Sequence, residues 1–148
     1  MKLSTKGRYA VRILSCVARN QSHGPVCKAL IAEEEGISKD YIEQIVVTLK
    51  RAGLVVGRRG MKGGFQLAKE STDITLFDIL NAAEGGVDLV RCDDCQRTEG
   101  CETRSIWCQA NTMLKEYFDG ITLDQVQFGQ TETATNGSRR RTNENIQQ

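Results

Sequence analysis

The chain of 148 residues is long enough for one domain with a core of its own, and 39% hydrophobic content excludes a fibrous or wholly unfolded protein. Its net charge of +1 hides a split: residues 1–70 hold 13 Lys/Arg against 6 Asp/Glu, residues 71–148 hold 7 against 13, and the basic half is the one suited to a polyanion. No run approaches the roughly 18 apolar residues of a membrane helix and no apolar leader core is present, so the chain reads as cytoplasmic, where its six cysteines are ligands, reactive thiols or packing residues before they are disulfides.

Residues 5 to 19 place Tyr9, Ala10, Ile13, Leu14 and Val17 at helical spacing, with Arg8, Arg12 and Arg19 mostly on the other face. After a turn with Gly24 and Pro25, residues 26 to 35 predict a shorter helix closed by Gly36. A third helix, 38 to 52, is capped by Ser38, turns Tyr41, Ile42, Ile45, Val46 and Leu49 inward, and leaves Lys39, Glu43, Gln44, Val47, Lys50 and Arg51 outside. Two short β runs, 54 to 57 and 65 to 68, flank the segment Arg58-Arg59-Gly60-Met61-Lys62-Gly63-Gly64 as a hairpin with a charged tip. Thr75 and Asp78 open a helix to residue 84, residues 92 to 101 form a cysteine-rich loop, and residues 102 to 119 form a longer helix with a broad apolar stripe. That stripe consists of Ile106, Ala110, Met113 and Tyr117 beside Trp107, Leu114 and Phe118. A last short helix starts at Thr122, and residues 129–148 carry almost nothing apolar and read as a disordered tail.

Three helices followed by a hairpin predict a mainly α fold with a small β-hairpin wing, a winged helix-turn-helix. In that arrangement Glu43 and Gln44 meet base edges, Lys39, Lys50 and Arg51 meet phosphates, and Ser38 and Tyr41 lie on the same helix. Gly60 allows the tight tip, Arg58, Arg59 and Lys62 suit a minor groove, and Lys2, Lys6 and Arg8 add phosphate candidates. The expected organisation is a DNA-binding domain over 1–72, a connecting helix within 73–90, a sensor loop over 91–101, a dimerisation helix and short helix over 102–128, and the tail.

The opening Met1-Lys2-Leu3-Ser4-Thr5-Lys6-Gly7-Arg8-Tyr9-Ala10, the segment Ile37-Ser38-Lys39-Asp40-Tyr41-Ile42-Glu43-Gln44-Ile45 and the run Arg59-Gly60-Met61-Lys62-Gly63-Gly64-Phe65-Gln66-Leu67 closely resemble the Rrf-two family of winged-helix transcriptional regulators, and among them its iron-sulfur cluster regulators. The resemblance covers about residues 1 to 128. It implies a homodimer formed through the long helix, a palindromic double-stranded DNA operator, and control of metal, sulfur or redox genes.

Cys16 and Cys27 read as packing residues, and His23 has no cysteine at ligand spacing. Cys92, Cys95, Cys101 and Cys108 place four thiols within 17 residues, a density that thiophilic metals require. The resemblance implies an iron-sulfur cluster, 2Fe-2S, with Cys95 and Cys101 at two of the family's ligand positions. Cys92 then replaces a cysteine nearer Leu89, and Arg104 stands at the family's histidine position. Cys108 is the substitute fourth ligand only if Cys101 precedes the long helix, because seven helical residues separate two thiols by about 10.5 Å. Zinc suits four thiolates equally well. A metal-free thiol sensor pairing Cys92 with Cys95 or Cys101 is a further reading, as is a Cys-x-x-Cys redox protein, against which no βαβ pattern accompanies the pair. No nucleophile, base and orienting group cluster anywhere, so no catalytic activity is expected.

Overall fold

The computed structural model describes residues 2–96 and 100–128, with the side chain of Phe128 excepted. Among the described residues six α-helices and one hairpin follow one another: α1 (Thr5–Asn20), α2 (Lys28–Glu35), α3 (Lys39–Arg51), β1 (Val55–Arg58), β2 (Gly64–Leu67), α4 (Leu76–Glu84), α5 (Arg104–Asp119) and α6 (Leu123–Phe128). These elements fall within about two residues of the predicted bounds. The predicted disordered tail lies outside the described residues.

Helix ends are set by local chemistry. Ser4 and Ser38 cap α1 and α3 through their hydroxyls, and Thr75 and Asp78 complete a reciprocal capping box on α4. Gly36 and Gly85 end α2 and α4 in the left-handed region, where a β-carbon would be strained. α2 begins at Lys28, two residues later than predicted, because Pro25 and Val26 are drawn toward the hairpin. Val26 exchanges two backbone hydrogen bonds of 2.8 Å with Phe65, which adds a third short segment beside β2.

α1 is the centre of the core. Its residues Ala10, Ile13, Leu14 and Val17 are fully buried against Ile31 of α2, Ile42, Ile45 and Leu49 of α3, and Ile79 of α4. Leu54 and Val55 seal the hairpin to this core, and β1 pairs antiparallel with β2 from Val55 opposite Leu67 to Arg58 opposite Gly64.

α4 is tied at both ends, its start to the end of α5 and its other end to the basic half. At its start, Leu76 N–H donates to Ile121 O and Leu123 N–H to Ile74 O, both at 2.8 Å, while the Thr75 hydroxyl lies 3.3 Å from Asp119 Oδ1. At its other end, Glu84 Oε1 accepts from the Ser4 hydroxyl at 2.6 Å and from Ser4 N–H at 3.2 Å. A β-carbon on Gly7 would collide with that same carboxylate oxygen, so the glycine makes room for the joint.

Candidate nucleic-acid interface and cysteine site

α3 follows α2 through a three-residue turn and presents Lys39, Glu43, Gln44, Val47, Lys50 and Arg51 on one exposed face, as the spacing predicts. Ser38 spends its hydroxyl on the Tyr41 N–H at 3.3 Å, and Tyr41 is half-buried, edge-on to Tyr9 with ring centroids 5.8 Å apart. Glu43 is engaged by the Lys28 ammonium at 2.6 Å, and this pair, through its hydrogen bond first and its charge second, lowers the Glu43 carboxyl from its ordinary value. The Lys50 ammonium lies 5.1 Å above the Phe65 ring, beside the α-carbon of Gly57, so it joins α3 to the hairpin.

The wing is built on glycine. A β-carbon on Gly63 would strike the Arg58 carbonyl and one on Gly64 the Val26 carbonyl, while Gly60 turns at φ 118°. Arg58 is steadied by Gln66 at 3.1 Å, whereas Arg59, Met61 and Lys62 stand fully outward. An open groove of about 740 Å³ runs between Lys28, Lys50 and the hairpin residues Arg58, Arg59 and Phe65.

Ion pairing sorts the basic half. Arg12 and Arg19 reach Glu35 at 2.9 and 2.8 Å, and Arg19 also reaches Glu34 at 3.3 Å. Those carboxylates stand with the Cys16 thiol as the one trio of potential ligand groups within 4.8 Å of one another among the described residues. Two guanidiniums already neutralise it, so it ties α1 to α2 and offers little to a metal. By contrast Lys2, Lys6, Arg8, Lys39, Arg51, Arg59 and Lys62 have no carboxylate within 4.0 Å among the described residues, and they lie on the start of α1, on α3 and on the wing.

Cys16 is fully buried, as expected, and donates to Glu34 at 3.2 Å. Burial, reinforced by that carboxylate, pushes its thiol up to about 12. Cys27 corrects the reading as a packing residue. It is exposed, because it occupies the N-cap of α2, where its sulfur turns to accept from the Leu30 N–H at 3.4 Å.

The other four cysteines lie in the segment before α5 and on its second turn. Cys92 and Cys95 share a turn closed by a backbone hydrogen bond of 3.2 Å. Cys101 precedes α5, which begins at Arg104, and Cys108 projects from its second turn. The condition for a four-cysteine site within one chain is therefore met. Loss of solvent, then the neighbouring Cys108 thiol with which it shares a hydrogen bond, raises the Cys92 thiol. The Thr103 hydroxyl, 3.5 Å from the sulfur, followed by the Thr103 and Arg104 amides at the helix start, lowers Cys101. Among the described residues no three of these sulfurs lie within 4.8 Å of one another, so a shared metal would draw the loop inward.

α5 buries no residue. Ile106, Met113 and Tyr117 are 59%, 63% and 61% exposed, and Trp107, Leu89 and Val90 extend the apolar face. Three features were not legible beforehand: the Glu84 joint to Ser4, the Lys28 clasp on Glu43, and Asn111, whose amide holds Leu89 and Val90. Of these only Asn111 left a signal, as a poor helix former placed at the edge of the apolar row of Trp107, Leu114 and Phe118.

The sequence profile of the family described as "Rrf2: Iron-dependent Transcriptional regulator" matches residues 3–128. The HTH-type transcriptional regulator IscR of Escherichia coli is 37% identical over 129 residues, 85% of this chain and 80% of that protein. An HTH-type transcriptional regulator of Azotobacter vinelandii is 38% identical over 126 residues, covering 83% and 77%. Among solved structures, CymR, the global cysteine regulator of B. subtilis, superposes with a TM-score of 0.76 at 34% identity, covering 87% of this chain and 98% of that one. IscR of T. potens gives 0.72 at 33% identity, covering 93% and 94%.

Proposed function

The chain belongs to the Rrf2 family of DNA-binding transcriptional regulators and is not an enzyme, and from that premise we propose that it works in the cytoplasm as a homodimer on a palindromic operator, its affinity set by a 2Fe-2S cluster. Cys92, Cys95, Cys101 and Cys108 would hold the cluster, and the controlled genes would serve iron-sulfur, sulfur or redox metabolism. The observation that carries this reading is the placement of four thiols within 17 residues, in the loop before α5 and on its second turn, on a helix whose outer apolar face is exposed among the described residues.

The donor set fits such a group. Cys92 and Cys108 are hydrogen-bonded neighbours, Cys101 accepts hydrogen bonds from the start of α5 as a thiolate would, and the Arg104 guanidinium favours the charged form of both Cys92 and Cys101. When bound, the cluster supplies a redox-sensitive link between loop and helix. The chain's own residues do the rest: α5 carries the loop's position to the partner, and α4 carries it through Thr75 and Glu84 to α1. Couplings of this kind are typically worth about 1 to 3 kcal/mol.

Zinc is the second reading, since four thiolates suit it equally well and the Cys92-x2-Cys95 pair is a common zinc half-site. Anaerobic purification followed by iron, sulfide and zinc analysis and a visible spectrum decides between them. Coloured protein with matching iron and sulfide is the expected result. Colourless protein with one zinc per chain transfers the site to zinc, and protein with neither metal leaves a thiol sensor of the same fold.

A further inference from the structure

The segment before the cysteine loop does not merely pass α5; it is held along it. Asn111 Oδ1 accepts from Leu89 N–H at 2.8 Å and Asn111 Nδ2 donates to Val90 O at 2.8 Å, so one side chain satisfies two adjacent backbone groups. Arg104, Cys108 and Asn111 follow one another at four and three residues, which places them on a single face of the helix. Along that face Asn111 meets Leu89 and Val90, Cys108 meets Cys92, and Arg104 approaches Asp93 at 3.9 Å. The segment therefore runs antiparallel to α5, in a register with Cys92 opposite Cys108. The Arg104 pair is solvent-exposed, with Asp93 fully outward, and adds little. The two amide hydrogen bonds are the fixed point.

We propose that Asn111 is the positioning residue of the cysteine site: by gripping Leu89 and Val90 it sets the register in which Cys92 meets Cys108, and so makes Cys108 a member of the site. A slip of one residue along the track would replace Cys92 by Arg91 or Asp93 opposite Cys108. An asparagine is suited to the task because its amide offers one acceptor and one donor side by side, the complement of consecutive backbone groups. The proposal rests on the reading of these cysteines as one site.

Thiol proximity gives a readout that needs no metal. In the full-length, metal-free, reduced chain, diamide takes up two hydrogens from a thiol pair and leaves a disulfide, and peptide mapping identifies the partners. The wild type should yield Cys92–Cys108 as its main bridge. Asn111→Ala should lower that bridge about tenfold relative to Cys92–Cys95, the loss expected when two hydrogen bonds no longer hold the segment. Asn111→Asp keeps the acceptor for Leu89 but not the donor for Val90, and should fall between. Alanine is the better helix former, so circular dichroism should show α5 intact. An unchanged bridge pattern in Asn111→Ala overturns the proposal. A cobalt(II) titration of the wild type separates the two readings: absence of thiolate-to-cobalt absorption overturns the metal site while the bridge pattern still judges the register.

Discussion

Cys16 shows how one buried side chain ties a residue's chemistry to the stability of the fold. Its thiol lies between α1 and α2, fully enclosed and donating to a carboxylate, and it titrates at about 12 instead of the ordinary 9.0. The folded chain thus holds a proton that the unfolded chain releases. The stabilisation is fully present below pH 9.0 and is lost as pH rises toward about 12. Thermal melts across that window should show a shallower alkaline decline for Cys16→Ala than for the wild type; equal slopes would assign the decline to other groups. The burial of Cys16 was legible from its place beside Ile13 in the helical pattern. Its carboxylate partner was not, because Glu34 is 18 residues away and arrives through the packing of α2 on α1. Cys27 was misread for a related reason: a cysteine at a helix boundary is pulled outward by the free amides of the first turn.

At the scale of elements, the hairpin carries the clearest assignment. Glycines at 60, 63 and 64 and cations at 58, 59 and 62 were readable as a narrow, charged tip. The bridge from Val26 to Phe65, which anchors that tip to the turn before α2, was not, since no local pattern announces a pairing across 39 residues. Arg59 stands outward on this anchored base, with no carboxylate near it among the described residues. Arg59→Ala should weaken operator binding and reduce the slope of log affinity against log salt by about one, measured by fluorescence anisotropy over a salt series. An unchanged slope would remove the arginine from the phosphate and groove contacts. Lys50, placed over Phe65, is expected to do less at the DNA than its position on α3 suggests, because its ammonium is already engaged with the hairpin.

For the whole molecule, the division of charge seen in the sequence becomes a division of faces. Arg12, Arg19 and Lys28 are neutralised by Glu34, Glu35 and Glu43, and among the described residues the start of α1, α3 and the wing carry cations with no carboxylate within 4.0 Å. The apolar stripe of α5 was legible as a stripe, yet periodicity cannot say whether one chain covers it; among the described residues Ile106, Met113 and Tyr117 stand exposed. Met113→Glu should shift the protein from dimer to monomer in sedimentation velocity while leaving the α1 to α3 core, and hence its helical signal, intact. A dimer of wild-type affinity in that variant would place the interface elsewhere.

The hydrogen bonds that join Ile74, Thr75 and Leu76 to Asp119, Ile121 and Leu123 have a mechanical meaning. They fasten one end of α5 to the body, while the cysteines crowd the other. α5 is then a lever about 24 Å long with its fulcrum at Asp119, and a tilt of about 5° there sweeps the Arg104 end through about 2 Å. In the proposed dimer, a sulfur-sized displacement in the loop and a rotation of a few degrees between the two DNA-reading heads would be, through this hinge, one and the same motion.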